Sequence, residues 1–104
     1  MKDYTELEHS AEKAVILLKA LANKHRLLMM CALQDGELSV SQLNELFPIP
    51  QSSLSQHLAW LRRESFVKTR RNAQTIYYSL NSEEIVSVIN TLQHIYREEQ
   101  AVAS

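Results

Sequence analysis

The chain has 104 residues, of which 45% are hydrophobic and 22% charged, and its net charge is −1 at pH 7. This length suits one domain, and no apolar run reaches the roughly 18 residues of a membrane span. The acidic N-terminus lacks the basic-then-apolar order of a signal peptide. The single cysteine excludes an internal disulfide framework, so a cytoplasmic protein without membrane attachment is expected.

Charge is distributed unevenly along the chain. Residues 1–12 and 82–104 are both acidic, whereas residues 56–80 carry five cations against the single acid Glu64. A basic segment between acidic ends is typical of a protein with one face for a polyanion. A solvated charged surface is the alternative interpretation of the same composition.

Helical periodicity dominates the first half of the chain. The spacing of leucine and alanine predicts a helix over 6–21 and a second, buried helix over 23–34. Asn23 is placed to cap the second helix, and Asp35-Gly36 is placed to stop it.

A helix-turn-helix and a hairpin follow. Ser39 is placed to cap a short third helix, which ends before the segment Pro48–Pro50. The fourth helix is predicted over 51–64. Two β-rich segments, 67–71 and 75–80, are separated by Asn72-Ala73 and predict a hairpin. A last helix over about 82–100 has Ser82 as its cap.

This order predicts a mainly α (α+β) winged helix-turn-helix fold, with five helices and a two-stranded β-hairpin wing between helices four and five. Residues 1–104 form a single domain, with the helix-turn-helix at 39–64 and the wing at 66–80. Broad apolar stripes on the end helices predict a homodimer through residues 1–21 and 82–104. A compact monomer with both helices folded back is the alternative.

The fourth helix has two distinct faces. Leu54, Leu58 and Leu61 fall in one sector and are expected to face the core. The remaining polar side chains suit phosphates and base edges, although an N-cap with a solvated face explains them equally well. The basic hairpin that follows favours DNA. The predicted DNA-contacting residues are Ser52, Ser53, Ser55, Gln56, His57, Lys68, Arg70 and Arg71.

Three segments carry a family resemblance: AVILLKALANKHRLLMMCAL (14–33), ELSVSQLNEL (37–46) and SSLSQHLAWLRRESFVKTRRNAQTIYYSL (52–80). They resemble the ArsR/SmtB family of bacterial transcription regulators, most closely its HlyU and BigR/SqrR (redox- and persulfide-responsive) branch. The resemblance implies a homodimer that binds a near-palindromic operator in double-stranded DNA, and it adds Gln51 to the contacts. It leaves open whether the protein represses, or activates by competition with a DNA-silencing protein on the nucleoid.

The chain departs from the family pattern at two positions around the fourth helix. Pro50 stands where relatives usually have a capping serine. Ser65 stands where a glycine commonly ends the helix, so Ser65 is expected to adopt left-handed backbone geometry.

Metal-sensing members of the family provide two sites to test. The stretch Ser39-Val40-Ser41 lacks the cysteine pair of the arsenite type. Ser82, Glu84, Ile95 and Glu98 stand where the zinc type carries its ligands, without either histidine. No metal and no other cofactor is expected, and a metal-responsive repressor with an unrecognised site remains an alternative.

Cys31 occupies the position of a sensing cysteine in the persulfide-responsive branch. The second cysteine of that branch is replaced here by Arg97. One interpretation is a small core residue. The other is a one-thiol redox sensor, modified to a sulfenic acid, a persulfide or a mixed disulfide.

The sequence offers no sign of an enzyme. It has no glycine-rich phosphate loop, and Cys31 has no histidine partner at helical spacing. The main alternative to a DNA reader is a winged-helix protein-interaction module without sequence-specific DNA binding. The residues do not identify the operator or the target genes.

Overall fold

The computed structural model describes the backbone of residues 3–103 and the side chains of residues 3–97. Residues 1, 2 and 104 of the predicted dimerisation segments lie outside the described residues, as does the side chain of Glu98. The elements in chain order are α1 (Tyr4–Leu21), α2 (Lys24–Leu33), β1 (Leu38–Ser39), α3 (Val40–Leu46), α4 (Gln51–Arg63), β2 (Val67–Asn72), β3 (Thr75–Leu80) and α5 (Glu83–Ala103).

Side-chain caps fix the starts of three helices where the sequence predicts them. The Asn23 side chain accepts a hydrogen bond from the Arg26 amide at the start of α2. Ser39 and Gln42 form a reciprocal capping box at the start of α3. The Ser82 hydroxyl accepts from the Ile85 amide at the start of α5. Each cap satisfies an amide that the helix leaves unpaired, which typically contributes about 1 kcal/mol.

The hydrophobic core joins the central helices to the wing and to α5. Leu54, Leu58 and Leu61 of α4 are fully buried in it, which confirms the predicted inner face of this helix. Helix α2 is less enclosed than predicted, because Leu28 is 39% exposed. The other buried apolar residues are Ala20, Met29, Met30, Leu33, Leu43, Phe66, Val67, Ile85 and Ile89.

The sheet contains one strand more than the predicted hairpin. β2 and β3 pair as an antiparallel hairpin, and β1 pairs with the other edge of β3, so the strand order is β1-β3-β2. Leu38 lies opposite Tyr78, and Ser39 lies opposite Tyr77. The strand β1 spans two residues, too short for any periodic signal, which explains why the sequence does not reveal it. The predicted winged helix-turn-helix fold is otherwise confirmed.

Two departures from common backbone geometry lie beside the wing. Ser65 has φ 66°, which confirms the left-handed conformation predicted for this residue. The Phe66 amide donates to the Leu61 carbonyl at 2.9 Å and closes the end of α4. Ala73, in the hairpin turn, has φ 56°.

The chain is flat and leaves apolar surface uncovered at its end helices. Its radius of gyration is 15.8 Å, against about 13 Å for a compact domain of this length. On α1 the exposed fractions are 56% for Leu7, 60% for Val15 and 58% for Leu18, and on α5 Ile95 is 49% and Tyr96 57% exposed. Within the described residues, no helix is both long and apolar enough to span a bilayer.

Candidate nucleic-acid interface

The outer face of α4 is polar and open to solvent. Gln51, Ser52, Ser55 and Gln56 are exposed. Ser53 and His57 are partly buried at the flanks of this face. The three buried leucines on the opposite side hold the helix in place, so the polar side chains project away from the core.

The start of α4 carries no side-chain cap. Pro50 occupies the N-cap position and makes no capping hydrogen bond, and the first turn contains no acidic residue. The amides of the first turn therefore remain available to an external acceptor, and the helix dipole there favours an anion. The preceding turn is held by Asn44, whose side-chain amide donates to the Ile49 carbonyl at 3.0 Å.

A group of aromatic and cationic side chains joins α4 to α2. The rings of His25 and His57 lie 6.2 Å apart between centroids. The guanidinium of Arg26 stacks 4.9 Å from the ring centre of Trp60. Its nitrogens also donate to the carbonyls of Lys19 and Ala20 at the end of α1. Partial burial, followed by the charges of Arg26 and His25, lowers the pKa of His57 below its usual value.

The two wing arginines lie on opposite faces of the hairpin. Arg70 is opposite Tyr77 and Arg71 is opposite Ile76 in the register of β2 and β3. Because successive strand residues alternate between faces, the two arginine side chains project from opposite sides of the hairpin. Lys68 lies two residues before Arg70 and shares its face. All three cations are exposed.

Glu37 holds Arg70 against the body of the protein. The Nε and Nη2 groups of Arg70 donate to the Glu37 carboxylate in a two-pronged ion pair. The Arg70 guanidinium also lies 5.0 Å from the ring centre of Tyr77. The hydrogen bonds from Arg70 lower the pKa of the Glu37 carboxyl below its usual value. Within the described residues this is the one salt bridge, so Lys68 and Arg71 are the wing cations without an acidic partner there.

Cys31 lies on α2, five residues after Arg26. Its side chain is half-buried against the core, and burial raises the pKa of its thiol. One turn further along, the Gln34 side chain donates to Asn90 at 3.0 Å and accepts from Gln93 at 3.2 Å. These bonds connect α2 directly to α5. Among the described residues, no group of three His, Cys, Asp or Glu side chains is arranged to hold a metal ion.

Sequence reasoning missed three residues at the interface: His25, Arg26 and Glu37. Each contacts a predicted site residue or its neighbour that lies more than 30 positions away in the chain. No spacing rule connects residues that far apart. The composition of the segment 23–37 gave no indication of these contacts.

A tri-helical core with an exposed polar helix beside a basic hairpin defines a winged helix-turn-helix protein of the DNA-binding class. The family model described as bacterial regulatory protein, arsR family, matches residues 23–69. The transcriptional activator HlyU of Vibrio cholerae is 50% identical over 91 residues, which cover 88% of this chain and 84% of that protein. The chain therefore belongs to the ArsR family of bacterial transcriptional regulators.

Solved structures agree with this assignment. Reduced HlyU from Vibrio cholerae gives a TM-score of 0.82 at 50% identity, covering 88% of this chain and 96% of that chain. The transcriptional repressor BigR from Xylella fastidiosa gives a TM-score of 0.81 at 36% identity, covering 91% and 97%. These relatives are regulators, which confirms the prediction that the chain is a regulator rather than an enzyme.

Proposed function

We propose that this regulator binds a near-palindromic operator as a homodimer, with one α4 in each of two successive major grooves and the wings on the flanking backbone. The observation that carries the proposal is the exposed polar face of α4 beside the basic wing. Gln56 offers the paired donor and acceptor that suit adenine, while Lys68 and Arg71 suit phosphates. The protein acts in the cytoplasm, where the DNA is.

Shape and exposed apolar surface support the dimer. A monomer would leave Leu7, Val15 and Leu18 in water along one stripe of α1, together with Tyr96 on α5. Stripes of this kind usually mark an interface. A two-fold axis between the protomers would present two copies of α4 to half-sites about 34–36 Å apart. The segments 1–21 and 82–104 would then serve dimerisation, and 39–80 would serve DNA binding.

The effect on transcription depends on where the operator lies. The 50% identity with a protein named as an activator favours activation. In that mode the bound dimer would compete with a DNA-silencing protein for the promoter. Transcription in vitro from a promoter bound by the silencing protein should then rise when the regulator is added. A fall in transcription from the promoter without the silencing protein would instead indicate repression.

Cys31 provides a route for thiol control. An organic persulfide, R–S–SH, would transfer its outer sulfur to the Cys31 thiol, leaving Cys31–S–SH and releasing R–SH. The added atom would press on a half-buried position one turn from the Gln34 bonds to α5. Because α5 is a proposed dimer helix, such pressure would change the spacing of the two recognition helices. Unchanged DNA affinity after modification proven by mass spectrometry would contradict this route.

Selection from the genome tests the main proposal. The purified protein is mixed with sheared genomic DNA of the source bacterium, and the retained fragments are sequenced. We expect a two-fold-symmetric motif, recovered as a short duplex that binds with a steep loss of affinity at high salt. If random-sequence DNA competes as well as the recovered duplex, the chain does not bind DNA sequence-specifically and the proposal fails.

A further inference from the structure

His25, Arg26 and His57 form a cluster at the contact between α2 and α4. Three groups that carry or can carry positive charge meet where α2 crosses α4, and none of them forms a salt bridge among the described residues. Arg26 is held beside the cluster by hydrogen bonds to two α1 carbonyls and by stacking on Trp60. The cluster therefore places one cation and two ionisable imidazoles next to one another at α4.

No acidic group is among the charges that act on His57 within the described residues. The groups whose charges act on His57 are Arg26 and His25, both on α2, and both disfavour its protonation. The other ionisable residues on the elements packed against α4 are Lys24 and Cys31 on α2, Glu45 on α3, and Lys68, Arg70 and Arg71 on β2. In the free protein His57 is thus neutral over a wider pH range than an ordinary histidine.

We propose that His25 and His57 form a proton-linked site for a DNA backbone phosphate, which takes up a proton from solvent when DNA docks on α4. The inference rests on the proposed DNA binding. His57 lies one turn after Ser53 on the flank of the polar face, and its ring contacts that of His25. A phosphate at this flank would meet the pinned Arg26 cation and two imidazoles, each of which binds an anion best when protonated.

The direction of the pH effect follows from the two states. The pKa of His57 in the free protein lies below its ordinary value. A phosphate at contact distance raises the pKa of a histidine, because opposite charges favour the protonated form. The gain in DNA affinity is therefore fully present below the free-protein pKa, and it is lost as the pH rises through the pKa of the complex.

The test uses the duplex recovered by genomic selection and a random-sequence duplex of the same length. Isothermal titration at pH 6.5 in buffers of different ionisation enthalpy counts the protons taken up on binding. We expect net uptake with both duplexes, since a phosphate is present in each. Dissociation constants measured from pH 7.5 to 6.0 should fall by about threefold to tenfold, within the limit of about tenfold per pH unit for one proton.

Single substitutions show whether the protons taken up on DNA binding go to His25 and His57. His25→Asn and His57→Asn should each reduce the proton uptake and flatten the pH dependence, while His9→Gln, an exposed position on α1, should leave both unchanged. Thermal unfolding checks that the variants fold. Histidine ring resonances of the wild-type protein, titrated with and without DNA, give the same answer without any substitution, and the His57 signal should titrate at higher pH in the complex.

Three results would overturn the inference. These are a His57 signal that titrates at the same pH with and without DNA, equal pH dependence in wild type and in His25→Asn, and proton uptake confined to the selected duplex. A protein that binds the selected duplex tightly with no proton uptake would retain the proposed function and lose only this site. A protein that selects no duplex at any pH would lose the proposed function itself.

Discussion

Replacing Leu18 with glutamate should separate the dimer into monomers. Leu18 is 58% exposed on the apolar stripe of α1. The proposed dimer covers this stripe with a second copy. A carboxylate at this position would enter the interface without a partner, and the two-fold axis would introduce it twice.

The exposed fraction sets the size of the effect. Burying a whole leucine side chain contributes about 1.5–3 kcal/mol. Covering the exposed 58% of Leu18 therefore contributes about 0.9–1.7 kcal/mol per protomer and about 1.7–3.5 kcal/mol per dimer. Desolvation of two unpaired carboxylates takes the total loss beyond about 3 kcal/mol, which weakens dimerisation by at least about a hundredfold.

Sedimentation equilibrium over nanomolar to micromolar concentrations measures this change. The control is His9→Glu, which adds the same carboxylate nine residues away, half a turn round α1. We expect a dimer for the wild type and for the control, and a shift towards monomer for Leu18→Glu. A monomeric wild type at micromolar concentration would refute the reasoning, as would equal dissociation constants for the two variants.

Three further predictions concern the fold and the wing. Leu58→Ala should cost about 2–5 kcal/mol of unfolding free energy in urea, because it leaves a cavity under α4, and a loss below 1 kcal/mol would show that the site is not tightly packed. Ser65→Gly should raise the unfolding free energy by up to about 1 kcal/mol, since glycine tolerates φ 66° without strain, and a decrease would contradict this. Glu37→Gln should release Arg70 for one more phosphate contact and steepen the salt dependence of DNA binding by about 0.9 in logarithmic slope, and an equal gain in Glu37→Gln/Arg70→Ala would assign it elsewhere.

Local signals predicted the elements because their causes are local. Asn23, Ser39 and Ser82 cap helices through bonds to amides three residues ahead, and such pairs can be found by inspection of the sequence. Leucine spacing likewise placed the buried face of α4. Ser65 was expected in a left-handed conformation because the resembling family commonly ends this helix with glycine, and the structure confirms it.

Contacts between distant segments could not be predicted in this way. Leu38 pairs with Tyr78, and Glu37 forms an ion pair with Arg70. Both contacts require the segment after α2 to lie along the edge of β3. Its position there depends on the packing of the whole core, which no short sequence pattern encodes. For the same reason the sequence assigned Arg70 and Arg71 one shared role, although the hairpin turns them to opposite faces.

The central claim is that α4 reads bases while the wing holds the backbone. Its most direct test is the ratio of dissociation constants for random and selected duplexes, measured for wild type, Gln56→Ala and Arg71→Ala at one salt concentration. Gln56→Ala should lower the ratio by about tenfold, from loss of about 1–3 kcal/mol at one base pair. Arg71→Ala should weaken both duplexes equally and leave the ratio unchanged. The reverse pattern, with specificity lost only in Arg71→Ala, would contradict the account.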